Sequence, residues 1–239
     1  MRYIYGPVSS RRIGSSLGVS LTPHKTCPLD CVYCQLGPTT DRTDQRSSYV
    51  SAGDILNEVR AWLEANPDKI KSLSFITLSG SGEPTLNIDI AELIVKIKEM
   101  AQVPVAVITN SCLLVRPEVR KDLLQADLII PSLDAASQEV FNKIDRPAPG
   151  IKVEDIIEAL VSLRKEYRGR IWLEVMLVKG FNDDIRHIRK LQEAIERINP
   201  DKIQLNSPVR STTEKGIVAV DDAKLKQIQE LLGEKAQII

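Results

Sequence analysis

The sequence predicts an α/β fold built on a parallel β-sheet. Short apolar runs rich in strand-forming residues alternate with longer amphipathic runs from about residue 50 onward. Continuous apolar strands are typical of a parallel sheet that is covered on both faces. Strict alternation of strands and helices predicts right-handed βαβ units. Two architectures satisfy this pattern: an open doubly wound sheet and a barrel that does not fully close.

Six strands are expected, each followed by a crossover. They lie in the segments SLGVSLTP (16–23), LSFITL (73–78), VPVAVIT (103–109), ADLIIPSLD (126–134), RIWLEVMLV (170–178) and DKIQLN (201–206). The intervening helices are predicted from apolar residues at helical spacing, and the first begins at Ser51, with Asp54 three positions later as in a capping box. We expect one domain, 1–239, with a short N-terminal extension (about 1–16) and a C-terminal helix (about 219–234).

Composition excludes several classes of protein. The chain is 43% apolar and 27% charged, and its 32 Lys and Arg balance 32 Asp and Glu, so no global field attracts nucleic acid or an acidic membrane. No apolar run approaches the roughly 18 residues of a membrane span. Three of the four cysteines are clustered, which is unsuited to a disulfide framework. We therefore predict a cytoplasmic protein with no membrane contact.

The cysteine cluster lies in KTCPLDCVYCQLG (25–37), directly after the first predicted strand. Cys27, Cys31 and Cys34 have the spacing C-x3-C-x2-C. Structural zinc would need a fourth ligand, which only Cys112 or His24 could supply. Unligated core thiols are less compatible with the polar residues of this loop.

An iron–sulfur cluster is the third interpretation of the cysteine loop. Thiolates bind such clusters, and four cysteines normally fill the four iron positions of a [4Fe–4S] cube. Three ligands on one loop leave one iron without a protein ligand, so a substrate or cofactor can bind there. The spacing therefore favours a catalytic cluster.

The cysteine loop, with Tyr33 directly before its last cysteine, resembles the signature of the radical S-adenosylmethionine superfamily. Further matches follow at successive strand ends: LSGSGEPTL (78–86), ITNS (108–111), PSLDA (131–135), VMLVKG (175–180) and IQLNSP (203–208). The resemblance covers roughly residues 17–208. It implies a partial (β/α)6 TIM-like barrel of parallel strands with the cluster loop after the first strand. The resemblance therefore favours the incompletely closed barrel over the open doubly wound sheet.

The resemblance also implies the cofactors and their ligands. Cys27, Cys31 and Cys34 would hold a [4Fe–4S] cluster. The residues expected to bind S-adenosylmethionine are Tyr33, Gly80, Gly82, Glu83, Asn110, Ser132, Asp134, Leu205 and Asn206. By this resemblance, the glycines admit the methionine amino group and Glu83 accepts from its ammonium. Ser132 and Asp134 contact the ribose hydroxyls, and Leu205 and Asn206 line the adenine pocket.

Each of these positions also has a structural alternative. The glycine pair could form only a tight turn. Glu83, followed by proline, could mark a helix N-terminus, and Asp134 could be a helix cap. Asn110 could cap its own loop. Cys112 is expected to be an ordinary, partly buried thiol, and His187 is expected on a solvated helix face.

The implied reaction is reductive cleavage of S-adenosylmethionine to a 5′-deoxyadenosyl radical that abstracts a hydrogen from a substrate. The segment YGPVSSRRIGSSLGVSLTP (5–23) resembles the branch that contains 4-demethylwyosine synthase, which suggests RNA or a nucleoside as substrate. The wyosine enzymes carry cysteines for a second cluster, which this chain does not supply. The implied partner is a flavodoxin- or ferredoxin-type electron donor.

Further candidates surround the predicted barrel mouth. Arg146 and His24 are possible catalytic groups, although a surface arginine in a turn is the simpler explanation of Arg146. The residues expected to contact phosphate or carboxylate groups of a macromolecular substrate are Arg11, Arg12, Lys25 and Arg210. Three rival functions remain open: an activase that installs a glycyl radical on a partner protein, a non-catalytic iron–sulfur electron carrier, and a zinc-stabilised binding scaffold.

Overall fold

The structure is a computed structural model that describes residues 2–209 and 212–239. The strands are β1 Ile4–Ser10, β2 Gly14–Val19, β3 Thr26–Cys27, β4 Asp41–Arg42, β5 Phe75–Leu78, β6 Val105–Thr109, β7 Leu128–Pro131, β8 Arg170–Met176, β9 Lys202–Asn206 and β10 Ala236–Ile238. The helices are α1 Ala52–Ala65, α2 Pro67–Ile70, α3 Ile90–Ala101, α4 Pro117–Asp122, α5 Gln138–Ile144, α6 Val153–Glu166, α7 Ile185–Ile198 and α8 Asp222–Leu232. Two short 3-10 turns lie at Pro84–Leu86 and Cys112–Val115.

Eight strands form one sheet in the order β1-β2-β5-β6-β7-β8-β9-β10. Every neighbouring pair from β2 to β10 is parallel, and only β1 runs antiparallel to its neighbour. The six predicted strands correspond to β2 and β5–β9. The predicted α/β class is therefore confirmed, and the arrangement is that of a partial TIM-like barrel.

The helical layer follows the apolar periodicity of the sequence. In α7, Ile188, Leu191, Ile195 and Ile198 recur at intervals of three and four and are all buried. Strands β5 and β7 are buried at every position, as expected of strands covered on both faces. Because the parallel strands all point the same way, their carboxyl ends meet at one end of the barrel.

Two edge strands were missed by the sequence analysis. The N-terminal extension contains β1, which has Pro7 at its centre, and proline is untypical of a strand interior because it cannot donate to a ladder. An edge strand tolerates it, with an irregular register between Tyr5 and Val8. Strand β10 has only three residues, too few for a period-2 pattern. His187 was also placed wrongly: it is buried in α7 rather than solvated.

The β1–β2 hairpin bridges the open side of the barrel. Its tip lies far from β8–β10 in the order of the sheet, yet it contacts all three strands or their ends. Arg12 accepts a hydrogen bond from Gln204 through its backbone oxygen (2.9 Å) and donates one to Glu174 (2.6 Å). Arg11 donates to the backbone oxygen of Ile239 (3.1 Å). The hairpin thus covers the side of the barrel that the sheet leaves open.

Among the described residues, no helix has both the length and the apolarity required to cross a bilayer.

Removal of the Glu58 side chain should loosen the hairpin. Its carboxylate accepts the backbone N–H groups of Arg2 (2.8 Å), Tyr3 (3.1 Å) and Ile4 (3.2 Å) and so joins β1 to α1. We expect Glu58→Ala to lower the free energy of unfolding by about 1–2 kcal/mol in urea titrations, since backbone donors lose their acceptor. Glu64→Ala, at an exposed position of the same helix, should change it by less than about 0.5 kcal/mol. Equal effects of the two variants would contradict this role.

Candidate active site

A cavity of about 710 Å³ opens at the carboxyl ends of the barrel strands. The cysteine loop, the strand ends and the N-terminal hairpin form its walls. The predicted site residues that line it are Cys27, Tyr33, Cys34, Gly80, Gly82, Glu83, Asn110, Ser132 and Asn206. The fold therefore brings these residues from five separate segments of the chain to one place.

Three predicted residues do not line this cavity. The Cys31 thiol is turned to Asp145, to which it donates at 3.4 Å. Asp134 is buried behind the cavity wall. Leu205 is 0% exposed, because side chains alternate along β9 and Asn206 takes the cavity side. The adenine-pocket role expected of the Leu205 side chain is thus not supported, and this is a correction to the sequence analysis.

The cysteine loop is fixed at both ends by backbone hydrogen bonds. At its start, β3 pairs with β4, and the Thr26 oxygen accepts from the Glu83 N–H (3.1 Å). At its end, the Cys34 oxygen accepts from both the N–H (2.8 Å) and the hydroxyl (2.7 Å) of Thr213. Thr213, which follows β9 in the chain, therefore ties its segment to the end of the cysteine loop.

Polar side chains contact the three thiols. The Asn110 amide donates to Cys27 Sγ at 3.3 Å, and the Lys25 ammonium donates to Cys34 Sγ at 3.1 Å. Burial, followed by the charge of Glu83, raises the pKa of the Cys27 thiol to about 12. A metal ligand must be a thiolate, so metal binding here would release a proton. Lys25 was expected at the mouth as a phosphate contact; it is instead buried beneath the loop, and that expectation is corrected.

Asp134 and Asp145 join the cysteine loop to β7 and β8. The Tyr33 hydroxyl donates to carboxylate oxygens of both residues. Asp134 also accepts from the Met176 N–H at 2.8 Å. Burial raises the pKa of Asp134 to about 7, and burial together with the charge of Asp134 raises the pKa of Asp145. A protonated Asp145 would be a hydrogen-bond donor facing Cys31, which is compatible with a thiolate at that position.

Single-ion sites and iron–sulfur clusters place different demands on the three thiols. Within residues 2–209 and 212–239, no three His, Cys, Asp or Glu side chains are grouped closely enough to hold one metal ion. Zinc needs four donors about 2.0–2.3 Å from one centre. A cube takes one thiolate per iron, so its ligands lie further apart. His24 is exposed outside the cavity, and Cys112 is buried behind Asn110, whose side chain accepts its N–H at 3.0 Å.

Glu83 connects the ends of β5 and β6. Its carboxylate is 2% exposed and accepts from the N–H (3.1 Å) and hydroxyl (2.6 Å) of Thr85, from the Thr109 hydroxyl (2.6 Å) and from the Asn110 N–H (2.8 Å). Burial raises the pKa of Glu83, and these hydrogen bonds oppose that rise. It also caps the 3-10 turn that follows, so its structural alternative is realised. Its role towards a cofactor ammonium stays a prediction.

The two glycines of the motif meet different constraints. A Cβ on Gly82 would lie 2.1 Å from the backbone oxygen of Thr26, so only glycine allows this segment to lie against the cysteine loop. Gly80 has φ +114°, a conformation that favours glycine, and a Cβ there would lie 2.4 Å from Ser20 Oγ. The close approach that Gly82 permits is therefore one of backbone to backbone within the protein, whereas Gly80 lies against side chains.

An ion pair between half-buried Arg12 and buried Glu174 in the cavity was not anticipated. Glu174 accepts from Arg12 (2.6 Å) and from the Asn206 amide (3.0 Å). The signal was a lone carboxylate within the apolar run RIWLEVMLV, on the strand face shared by Trp172 and Met176. Arg12 does line the cavity as expected, but it is already paired.

The remaining candidates within the described residues lie away from the cavity lining. Arg11 bonds the Asn206 amide oxygen at 3.3 Å as well as the chain end. Arg146 has a left-handed backbone (φ 47°) and forms an ion pair with Glu214. Arg210 lies outside the described residues. Neither Arg146 nor exposed His24 faces the cavity, so the geometry assigns them no catalytic contact.

A second cavity, of about 560 Å³, lies at the opposite end of the barrel. Arg164, Arg168 and Lys235 are among its lining residues, and each lies in the last turn of a helix or just beyond it. Cations at such positions offset the negative end of the helix dipole. This explains the basic lining without a ligand.

The fold and the thiol loop together define a class of protein: an α/β barrel that can carry a cluster at its strand ends. Residues 21–191 match the sequence model of the Radical SAM superfamily. The chain belongs to the radical SAM superfamily. Membership implies S-adenosylmethionine and an iron–sulfur cluster as cofactors.

Two curated relatives illustrate the similarity. The chain is 39% identical over 224 residues to a protein of Brachyspira hyodysenteriae named GTPase Obg, covering 94% of this chain but 32% of that protein. It is 35% identical over 218 residues to a UPF0026 protein of Methanocaldococcus jannaschii, covering 91% of this chain and 67% of that protein. The chain thus spans about a third of the first relative and two thirds of the second.

Solved structures share the fold. A radical SAM methyltransferase from Sphaerobacter thermophilus superimposes with a TM-score of 0.70 at 19% identity, over 94% of this chain and 66% of that one. Streptococcus suis SuiB bound to S-adenosylmethionine gives 0.65 at 17% identity, over 93% and 49%. Archaeal TYW1 gives 0.59 at 19% identity, over 92% and 72%.

Replacement of Gly82 by alanine should displace the cysteine loop. The clash with the Thr26 oxygen involves backbone on both sides, so we expect Gly82→Ala to lower the free energy of unfolding by about 1–3 kcal/mol. Gly53→Ala, in the open first turn of α1, should instead stabilise the protein, by up to about 1 kcal/mol. Urea unfolding measures both. A neutral Gly82→Ala substitution would contradict the close packing.

Proposed function

We propose that this chain is a radical S-adenosylmethionine enzyme whose [4Fe–4S] cluster is held by Cys27, Cys31 and Cys34. The observation that carries the proposal is the shared cavity: two of these thiols and the polar residues of four strand ends line the same space. A non-catalytic thiol loop does not require such a lining. The volume, about 710 Å³, suits a nucleoside-sized cofactor with room for part of a substrate.

The cluster and the bound cofactor would supply one electron and a 5′-deoxyadenosyl radical that abstracts a hydrogen atom from the substrate. The protein's part is to bind, orient and exclude water. Gly80, Gly82 and Glu83 are proposed to receive the methionine end, because they lie directly beside the thiol loop. Ser132 and Asn206 lie on the cavity wall and are proposed to contact the nucleoside.

Asp134 is proposed to act indirectly. It lies behind the wall and holds both Tyr33 and the β8 backbone, so it would position Tyr33 rather than touch a ribose. Leu205 is left out of the proposed pocket, because its side chain points to the other face of β9. Electrons would come from a flavodoxin- or ferredoxin-type donor.

The substrate proposed here is a nucleoside within RNA. The outer part of the cavity is lined by Tyr3, Tyr5, Arg2 and Arg12, and the Arg2 guanidinium lies 5.4 Å from the Tyr3 ring centroid. Aromatic rings with interleaved arginines suit stacked bases and phosphates. The structural likeness to archaeal TYW1 supports the same direction.

Replacement of Cys31 by alanine tests the cluster. After anaerobic reconstitution, Cys31→Ala should lose most bound iron and form no detectable 5′-deoxyadenosine with dithionite and S-adenosylmethionine. Cys112→Ala removes a buried thiol outside the proposed ligand set, so it should retain iron, at a stability loss of about 1 kcal/mol. Full iron content in Cys31→Ala, or its loss in Cys112→Ala, would refute the assignment.

The same reconstituted protein separates the rival functions. Addition of S-adenosylmethionine should change the electron paramagnetic resonance spectrum of the reduced cluster, because the cofactor binds the iron that lacks a thiolate. An electron carrier predicts an unchanged spectrum. A glycyl-radical activase predicts that cofactor turnover depends on a partner protein and is insensitive to RNA.

Binding to RNA should weaken steeply as salt increases. Each phosphate contact releases counterions, so affinity should fall severalfold or more between about 50 and 200 mM salt. Arg2→Gln should reduce the slope of log affinity against log salt by about one. Arg168→Gln, at the opposite end of the barrel, should leave the slope unchanged. An affinity that is independent of salt would exclude phosphate recognition.

A further inference from the structure

Lys25 is a buried cation placed against the cysteine loop. Only 3% of the residue is exposed, although lysine is among the residues least often buried. Its backbone is held from two sides: its N–H donates to the Ser81 oxygen at 2.6 Å, and its oxygen accepts from the Asp41 N–H at 3.2 Å. Its φ of 58° is uncommon for a residue with a side chain. The fold therefore holds this lysine in an unusual conformation.

The ammonium of Lys25 has a single hydrogen-bond partner among the described residues. That partner is Cys34 Sγ, at 3.1 Å, and no carboxylate of the described chain forms an ion pair with the lysine. A buried ammonium is strongly destabilising unless an anion or good acceptors compensate it. A neutral thiol is a weak acceptor. The arrangement is favourable only when the sulfur carries negative charge.

A cluster-bound thiolate supplies that charge. Each electron added to a cluster increases its negative charge, and a nearby cation stabilises the reduced form more than the oxidised form. The effect is large in the interior, where the effective dielectric constant is low. Net charge and hydrogen bonds to sulfur are among the factors that set the potential of iron–sulfur clusters.

We propose that Lys25 is a positioning residue that acts through Cys34: its ammonium pairs with the Cys34 thiolate and raises the reduction potential of the cluster. This inference rests on the proposed function, since it requires the cluster. The electron comes from the external reductant and stays on the cluster, so no bond to Lys25 forms or breaks. The higher potential makes reduction of the cluster by its electron donor more favourable.

Redox titration of the reconstituted protein tests this role without turnover. The potential is measured by electron paramagnetic resonance at poised potentials, in wild type and in Lys25→Met, which keeps the unbranched chain up to the ε position and removes the charge. We expect a lower potential in Lys25→Met and a smaller shift in Lys25→Arg, which keeps the charge. Lys121→Met removes a charge from an exposed position of α4 and should leave the potential unchanged.

The titration distinguishes failure of the role proposed for Lys25 from failure of the proposed function. If wild type binds no cluster, the proposed function fails. If wild type and Lys25→Met hold equal iron and have equal potentials, only the lysine's role is refuted. If Lys25→Met loses iron, Lys25→Gln replaces it, with the same expected shift. Loss of iron from Met, Gln and Arg variants alike would show a purely structural role and overturn the proposal.

Discussion

The site depends on one close backbone contact, between Gly82 and the carbonyl of Thr26. This contact brings the end of β5 against the start of the cysteine loop, and the neighbouring Glu83 N–H closes it with a hydrogen bond to the same oxygen. The three thiols of the cysteine loop follow Thr26 in the chain, so this contact determines where they lie relative to the barrel.

Glu83 extends that constraint to the next strand. Its carboxylate accepts from donors in the turn after β5 and at the end of β6, including the backbone of Asn110. The Asn110 side chain in turn donates to Cys27. A continuous hydrogen-bonded path therefore runs from the glycine motif through two strand ends and back to a thiol. Buried hydrogen-bonded networks of this kind rigidify a site when all their members are satisfied.

The sequence was sufficient for the alternating core and for the location of the site. Apolar runs predicted β2 and β5–β9 because these strands lie in runs long enough to be recognised. Strand β10, with three residues, is too short for that. Nine of the residues predicted to hold the cluster or the cofactor line the cavity. The predictions that failed were those that depended on the direction in which a single side chain points. Leu205 was separated from Asn206 by strand alternation, and Lys25 was turned inward by a left-handed backbone that its sequence context did not reveal.

Polar partners distant in sequence were also hidden from pattern reasoning. Glu174 and Arg12 lie 162 positions apart, and only the folding of the hairpin across the barrel opening joins them. That hairpin has a geometric consequence. Because it covers the side of the barrel, the hairpin forms one wall of the cavity, which opens at the strand ends. If the substrate is the RNA nucleoside proposed above, a base stacked within a duplex would have to be extruded from its helix before it could enter.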